Sequence, residues 1–147
     1  MKVSFILKEK GGQVYSISPG ASLMEALSKM LEHTIGSLVV LDAAGKLVGI
    51  LSERDMLRAV HGHPQDWATV KVSTYMTQQV LTTQSKDKVN RAMDTMTNNR
   101  IRHLPVLDNE KLVGVLSIGD IIKANLTEMA YQNELLKNYI KNWPQQG

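Results

Sequence analysis

An internal repeat constrains this chain more than any other feature of its sequence. Residues 46–55 return as residues 111–120, with seven of the ten positions identical at an offset of 65. The repeat continues upstream, where residues 22–42 align with residues 88–108 at an offset of 66. Two copies of one small fold should pack about a pseudo-twofold axis and form equivalent clefts where they meet.

The length of the chain makes the two copies depend on each other. The 147 residues divide into halves of about 65 residues, and a unit of that size buries too little apolar surface to be comfortable alone. The net charge of +3 favours solvated surface lysines over a nucleic-acid surface. We therefore expect a pair of mutually supporting repeats.

The cysteine count and the apolar runs bear on the compartment. The absence of cysteine excludes disulfides, thiolate metal ligands and a cysteine nucleophile, and fits a reducing compartment. The apolar run 3–7 is far too short for a signal peptide, and no run approaches the roughly 18 apolar residues of a membrane span. We expect a cytoplasmic protein without a membrane segment.

The hydrophobic period predicts an α/β fold with two β-α-β-β-α repeats. In the first copy a short strand at 14–17 precedes a capping-box signature at Ser22 and Glu25. Apolar runs at 38–41 and 47–51 flank a turn and indicate a buried hairpin. The second copy has matching segments at 80–83, 89–96, 103–107 and 112–116.

The last helix of the second copy continues past the point where its counterpart ends. Its apolar positions recur at steps of four and three residues, a heptad-like seam with one polar member. Two interpretations are open: the helix packs back on its own domain, or the seam is a subunit contact in a homodimer. The seam comprises Ile122, Leu126, Met129, Asn133, Leu136 and Ile140.

Four strings, in this order and at this spacing, carry a resemblance to a known family. They are residues 49–55 (GILSERD), 75–77 (YMT), 100–106 (RIRHLPV) and 114–120 (GVLSIGD). With them the chain resembles a tandem pair of cystathionine-β-synthase (CBS) domains, or Bateman module, over nearly its whole length. No catalytic segment accompanies the pair, so the chain is similar to the stand-alone members of the family.

The resemblance implies a fold and a function. Each repeat would have a three-stranded sheet with two helices, and adenosine-containing ligands would bind between the repeats. The chain would then be a regulatory module that binds AMP, ADP, ATP or NAD and signals to its own dimer or to an unidentified protein target. The predicted divisions are 1–65 (first repeat with its lead-in), 66–71 (linker), 72–126 (second repeat) and 127–147 (helix extension and tail).

Asp55 and Asp120 end the two Gly-x-x-Ser-x-x-Asp strings, where a buried strand gives way to a helix. A carboxylate there can accept two hydrogen bonds from a ribose diol, and the first-turn amides are suited to a phosphate. The competing interpretation is that Ser52 and Ser117 cap the helices and each Asp complements the helix dipole. The resemblance favours the ligand role.

By the resemblance, each Asp cooperates with the strand starts of the other repeat, whose apolar residues would sandwich adenine. Two guanidiniums in the first cleft would favour the more highly charged ligand there, because they bind phosphate in bidentate fashion. The first cleft would use Ser52, Arg54, Asp55, Thr77, Val80, Leu81, Ile101 and Arg102. The second cleft would use Val14, Tyr15, Ile35, Gly36, His103, Ser117 and Asp120.

Arg100, His103 and the string His61-Gly62-His63 carry charged or titratable side chains whose roles the sequence leaves to be weighed one by one. Arg100 is expected to stay solvated rather than bind phosphate. His103 could titrate near neutral pH and make phosphate affinity depend on pH, although a histidine at a strand start is more often simply hydrogen-bonded in place. His61-Gly62-His63 lacks a third ligand and indicates a helix-ending turn rather than a metal site.

Other functions find less support in the sequence. Basic residues in the second half would suit a nucleic acid, but aromatic residues make up only 5% of the chain, so stacking platforms are scarce. No nucleophile–base pair or close carboxylate pair is evident, so no catalysis is expected. A structural dimerisation module with empty clefts shares the predicted fold and stays open as an alternative.

Overall fold

The structure is a computed structural model that describes residues 1–142. It confirms the α/β fold class and the duplicated architecture, with one sheet and one hydrophobic core in each repeat. The last part of the predicted helix extension and tail, residues 143–147, lies outside the described residues.

The elements follow the same order in both halves, except that the second half has no strand between its first two helices. The first half comprises α1 (Val3–Lys10), β1 (Ser16–Ile17), α2 (Leu23–His33), β2 (Ser37–Leu41), β3 (Leu47–Ser52) and α3 (Glu53–Gly62). A 3₁₀ turn at Trp67–Thr69 joins it to α4 (Val72–Tyr75), α5 (Val89–Asn99), β4 (His103–Asp108), β5 (Lys111–Ser117) and α6 (Ile118–Lys141).

The sheet of the second repeat is smaller than the resemblance implied. In the first repeat β1 pairs in parallel with β2, which pairs antiparallel with β3, so three strands form as expected. In the second repeat β4 and β5 form a two-stranded sheet, and the expected strand at 80–83 is reduced to one parallel bridge between Thr83 and Val106. The expectation of a third strand there was wrong.

A proline explains the missing strand. In the first repeat the amide of Val39 donates to the carbonyl of Tyr15 at 3.3 Å and helps to hold β1 on the sheet. The aligned residue in the second repeat is Pro105, which has no N–H to offer to Leu81. The pairing therefore begins two residues later, where Thr83 donates to the Pro105 carbonyl and accepts from Leu107.

Each lead-in helix packs on the opposite repeat. Val3 and Ile6 of α1 belong to the core of the second repeat, and the amide of Val3 donates to the Asp87 carbonyl at 2.9 Å. Val72 of α4 belongs to the core of the first repeat, where its amide donates to the Ala21 carbonyl at 2.8 Å. The two halves are joined by this exchange.

The C-terminal helix α6 runs for 24 residues. Among the described residues, only the start of this helix is covered by other elements, through the buried Ile121 and contacts with α1, α5 and β5. The seam residues are exposed, from 48% for Ile122 to 65% for Ile140. Within the described residues the seam therefore does not pack on its own domain, and the subunit contact stays a prediction. Within residues 1–142, no helix combines the length and apolar character that a bilayer crossing requires.

Candidate functional site

The first cleft is a cavity of about 550 Å³ between the two repeats. The end of β3 and the start of α3 form one side, and the segments that precede β4 and follow α4 form the other. All eight residues predicted for the first cleft line this cavity: Ser52, Arg54, Asp55, Thr77, Val80, Leu81, Ile101 and Arg102. The fold therefore brings together residues from both copies.

Asp55 is the buried carboxylate of this cavity, with only 4% of its surface exposed. Its Oδ2 accepts hydrogen bonds from the amide and the hydroxyl of Ser52 at 2.9 and 3.0 Å. Together with the Asp55 amide, which donates to Ser52 Oγ, these bonds form a capping box on α3. The helix-capping interpretation of Ser52 and Asp55 is confirmed. The cap uses Oδ2, one of the two oxygens of the Asp55 carboxylate.

The other oxygen of Asp55 is held more loosely. Among the described residues, Oδ1 accepts a bond from Arg58 Nη1 at 3.3 Å and one from Thr77 Oγ1 at 3.5 Å. Both bonds are longer than the usual range and correspondingly weak. Arg58 and Thr77 also line the cavity, so this oxygen can exchange weak partners for stronger hydroxyl donors.

The cavity wall is strongly basic. Arg58 and Arg100 line it alongside Arg54 and Arg102, which makes four guanidiniums against the carboxylates of Asp55 and one neighbouring glutamate. Arg58 also lies over the ring of Tyr75, with 5.8 Å from its guanidinium carbon to the ring centroid. Such a surface attracts anions, and guanidiniums match phosphate oxygens in bidentate geometry.

The region predicted to form the second cleft is organised differently, around Asp120. Its Oδ2 accepts from the Ser117 amide at 2.9 Å and from the ammonium of Lys10 at 2.7 Å. Ser117 Oγ accepts from the Asp120 amide, so the capping box of α3 is repeated on α6. Burial on its own would raise the pKa of Asp120, but the hydrogen bonds from Lys10 and Ser117 outweigh burial and hold that pKa below its ordinary value.

The apolar residues assigned to the second cleft lie against the first repeat. Tyr15 and Ile35 pack on the core of that repeat, and Val14 is half-buried. The ring of Tyr15 stacks on the ring of His33, with 4.0 Å between centroids and 24° between planes. Tyr15 thus provides an aromatic surface in this region, and His33 already stacks on it.

Gly36 and His103, which were assigned to the second cleft, line the cavity of the first. They lie close together, because a Cβ added at Gly36 would be 3.6 Å from His103 Cε1 and 2.8 Å from Glu53 Oε1. His103 also experiences the charges of Lys10 and Asp120. This histidine therefore lines the first cavity and is also close enough to Lys10 and Asp120 to feel their charges.

The protonation of His103 differs from the simplest expectation. Its pKa lies below its ordinary value, chiefly because burial penalises the charged ring and also because the ammonium of Lys10 repels a second positive charge. The attraction of Asp120 and Glu53 acts in the opposite sense and is smaller. The ring is therefore neutral at pH 7 and becomes protonated only in more acidic solution.

Comparisons with known proteins agree with this architecture. A sequence model of the CBS domain matches the chain twice, at residues 12–62 and 72–127. The chain belongs to the CBS-domain family. It is a CBS pair, which is a regulatory module, and the two matches correspond to the two repeats described above.

Relatives of this CBS pair are found among sequences and structures. An uncharacterized 17.7 kDa protein of Acidianus ambivalens is 40% identical over 126 residues, which cover 85% of this chain and 73% of that protein. The crystal structure of a CBS-domain protein from Agrobacterium tumefaciens superposes with a TM-score of 0.82 at 39% identity and covers 84% of this chain and 92% of that one.

One structural neighbour carries ligands. The CBS domain pair of protein MJ0100, in complex with 5′-methylthioadenosine and S-adenosyl-L-methionine, has a TM-score of 0.75 and 26% identity. The match covers 84% of this chain and 98% of that one. The neighbour's ligands both contain adenosine.

Two charged residues of this CBS pair were missed by sequence reasoning. Arg58 follows Asp55 by three residues on the same helix, and this spacing was a readable signal for a pair on one helix face. Lys10 gave no such signal, since 110 positions separate it from Asp120 and only the packing of α1 on the other repeat brings them together. Arg100, which was expected to stay solvated, is exposed but lines the cavity.

Proposed function

We propose that this chain is a non-catalytic regulatory module that binds an adenosine-containing nucleotide, AMP, ADP, ATP or NAD, in the first cleft. In this proposal Asp55 accepts the ribose hydroxyls through Oδ1, and Val80, Leu81 and Ile101 provide the apolar walls for adenine. Arg54 and Arg102 bind the phosphates, with Arg58 and Arg100 in reach of the same cavity.

One observation supports the proposal above the others. A buried carboxylate with one loosely held oxygen shares a cavity with four guanidiniums and an apolar wall drawn from the opposite repeat. A ribose, a phosphate and a purine need these three kinds of surface in this proximity. The adenosine ligands of a structural neighbour point in the same direction.

The proposed signal passes through the relative arrangement of the two repeats. A ligand can shift an equilibrium only when it binds one arrangement better than another. Because the cavity wall is drawn from both copies, closure of the repeats around a nucleotide changes the contacts of both. We propose a cytoplasmic homodimer formed through α6 as the assembly that responds, with an unidentified protein as a further target.

Titration calorimetry with adenosine, AMP, ADP, ATP and NAD tests the proposal. We expect Asp55→Asn to weaken binding about 10- to 100-fold, because charge-assisted hydrogen bonds to the ribose are lost. Asp94→Asn, which removes the same charge from an exposed position of α5, should leave binding unchanged. The absence of heat with every adenine compound, or equal binding by Asp55→Asn and wild type, would overturn the proposal.

A structural dimerisation module is the second candidate, and the exposed seam of α6 favours it. It predicts an oligomer whose clefts bind no nucleotide at all. The calorimetric panel separates the two candidates, because only the sensor gives heat that depends on Asp55.

A further inference from the structure

Four donors of the described residues surround the Asp55 carboxylate, whose two oxygens offer about four lone-pair sites. Oδ2 accepts from the amide and the hydroxyl of Ser52, which form the helix cap. Oδ1 accepts from Arg58 Nη1 and Thr77 Oγ1, and both of these residues line the same cavity as Asp55. A ribose hydroxyl that binds Oδ1 therefore leaves the cap intact and has to replace a donor of the cavity wall.

Arg58 is the charged member of this pair of donors. Its Nη1 lies 3.3 Å from Oδ1, and its side chain is 63% exposed, against 6% for that of Asp55. A side chain with this exposure can leave the carboxylate without opening the core, whereas Asp55 stays where it is. Once a ribose takes Oδ1, the guanidinium needs another anion, which a phosphate on the same ligand supplies and a nucleoside lacks.

The ring of Tyr75 provides a fixed support for Arg58 during this exchange. The guanidinium carbon lies 5.8 Å from the ring centroid, within the distance of about 6 Å at which a cation is attracted to an aromatic face. The ring meets that of His63 edge to face, at 5.6 Å and 86°, and a Cβ added at Gly62 would overlap its hydroxyl. The arginine stem can therefore stay over the ring while its planar fork turns from one anion to another.

We propose that Arg58 is a specificity-determining residue that makes the first cleft select phosphorylated adenosine nucleotides over adenosine. The inference rests on the proposed function and deepens it. Arg58 opposes a bare nucleoside because it holds Oδ1, and it favours a nucleotide because its fork binds two phosphate oxygens in place of one carboxylate oxygen. Arg54 and Arg102 line the cavity without a bond to Asp55 among the described residues, so they contribute only the second effect.

The test compares adenosine with AMP in NMR titrations followed through the amide signals of Asp55 and Thr77, which report on the first cleft. The measured quantity is the ratio of the adenosine dissociation constant to the AMP dissociation constant. Arg58→Met keeps an unbranched stem and removes the charge, so it should lower this ratio roughly 10-fold, by strengthening adenosine binding and weakening AMP binding. Arg91→Met, an equal loss of charge at an exposed position of α5, should leave the ratio unchanged.

The outcomes separate this inference from the proposed function. An unchanged ratio overturns the role of Arg58 alone, and so does weaker AMP binding without stronger adenosine binding, because that result is expected of a residue that only binds phosphate. The absence of binding of both compounds by the wild-type chain overturns the proposed function as well. If Arg58→Met fails to fold, the side-chain Nε–H signal of Arg58 in the wild-type chain gives the answer: AMP should shift it, and a signal that AMP leaves in place overturns the role of Arg58.

Discussion

The carboxylates of Asp55 and Asp120 have identical positions in the two repeats and different partners. Asp55 is bonded by neighbours on its own repeat and by Thr77 across the cleft, whereas Asp120 forms a short ion pair with a residue of the N-terminal helix. At the scale of single residues, identity in a repeat sets the local cap. The further partners of each carboxylate, Arg58 and Thr77 at Asp55 and Lys10 at Asp120, are not repeated.

His103 provides a test of the electrostatics between the clefts. Because its pKa is lowered, the ring is neutral at pH 7 and gains a proton only as the pH falls below its ordinary value of about 6.5. Protonation adds a positive charge beside the cavity, so we expect the affinity for AMP, relative to that of His103→Gln, to rise as the pH falls below about 6.5.

Calorimetry at several pH values measures this relative affinity. Comparison with the variant removes the titration of the ligand phosphate, whose own pKa is about 6. The matched control is His61→Gln, which removes an exposed histidine at the end of α3. A wild-type to His103→Gln ratio that does not change with pH would contradict the prediction.

Asp108 offers a second residue-scale test, through the acid stability of the fold. The hydroxyl and then the amide of Ser85 donate to its carboxylate and hold the pKa of Asp108 below its ordinary value. A lowered carboxylate pKa adds stability that is present above the unfolded pKa of about 3.9 and is lost as the pH falls through the folded value.

Ser85→Ala removes the hydroxyl that contributes most to this shift. We expect the pKa of Asp108 to rise toward its ordinary value in ¹³C NMR titrations. The variant should unfold at lower urea concentration than wild type near pH 7, and the difference should vanish as the pH falls through the folded pKa of Asp108. An equal difference at pH 7 and in strong acid would show that Ser85 stabilises the fold by another route.

At the scale of elements, the lead-in helices are held by close packing on the opposite sheet. The glycines Gly49 and Gly114 are aligned in the repeat, and each allows a lead-in residue to approach the strand. A Cβ at Gly49 would lie 2.7 Å from Met76 Sδ and 3.1 Å from the Thr77 carbonyl oxygen. A Cβ at Gly114 would lie 2.8 Å from a methyl group of Leu7.

The two alanine variants should therefore differ in stability. The backbone oxygen of Thr77 cannot move without breaking its pairing with Ile50, so Gly49→Ala should lower the free energy of unfolding by about 1–3 kcal/mol. Gly114→Ala should cost less than about 1 kcal/mol, because a leucine methyl can rotate away. Urea unfolding of both variants measures the difference, and equal losses would refute this account.

Much of the element structure could be predicted from the sequence, because it depends on local patterns. Ser22 caps α2 as its spacing with Glu25 predicts, and the hairpin of β2 and β3 follows from two apolar runs around a turn. The strand lost at 80–83 was also readable in principle, from Pro105. The ion pair of Lys10 was not, because it depends on which sheet each lead-in helix joins.

At the scale of the whole molecule, the C-terminal helix α6 carries a row of apolar side chains that the other described elements leave exposed. Leu126 and Leu136 of the seam are 61% and 56% exposed, and apolar residues in a heptad-like row are typical of a helix that meets another helix. A pair of such helices from two copies would bury this row and place Asn133 of each copy near the other.

Size-exclusion chromatography with light scattering tests this assembly. We expect a dimer for the wild-type chain and a monomer for Leu136→Asp, because a charge in the seam is costly to bury. Asn138→Asp adds the same charge outside the seam and should keep the dimer. A monomeric wild-type chain would refute the assembly.

Crosslinking gives an independent measure of the same contact. The sequence contains no cysteine, so Asn133→Cys introduces a single thiol that can form a disulfide only between chains. Rapid formation of the covalent dimer under mild oxidation is expected. Failure to crosslink in a proven dimer would place the contact on a different part of the surface.

The exchange of the lead-in helices has a consequence for any attempt to divide the protein. A cut in the segment between the repeats would leave each fragment with the helix that fills its neighbour's interior and without the helix that fills its own. Neither piece would then be a self-sufficient domain, and mixing the two should restore a folded complex by complementation. In a chain built in this way neither repeat can be removed without loss of the other, since each half is completed by a helix of its neighbour.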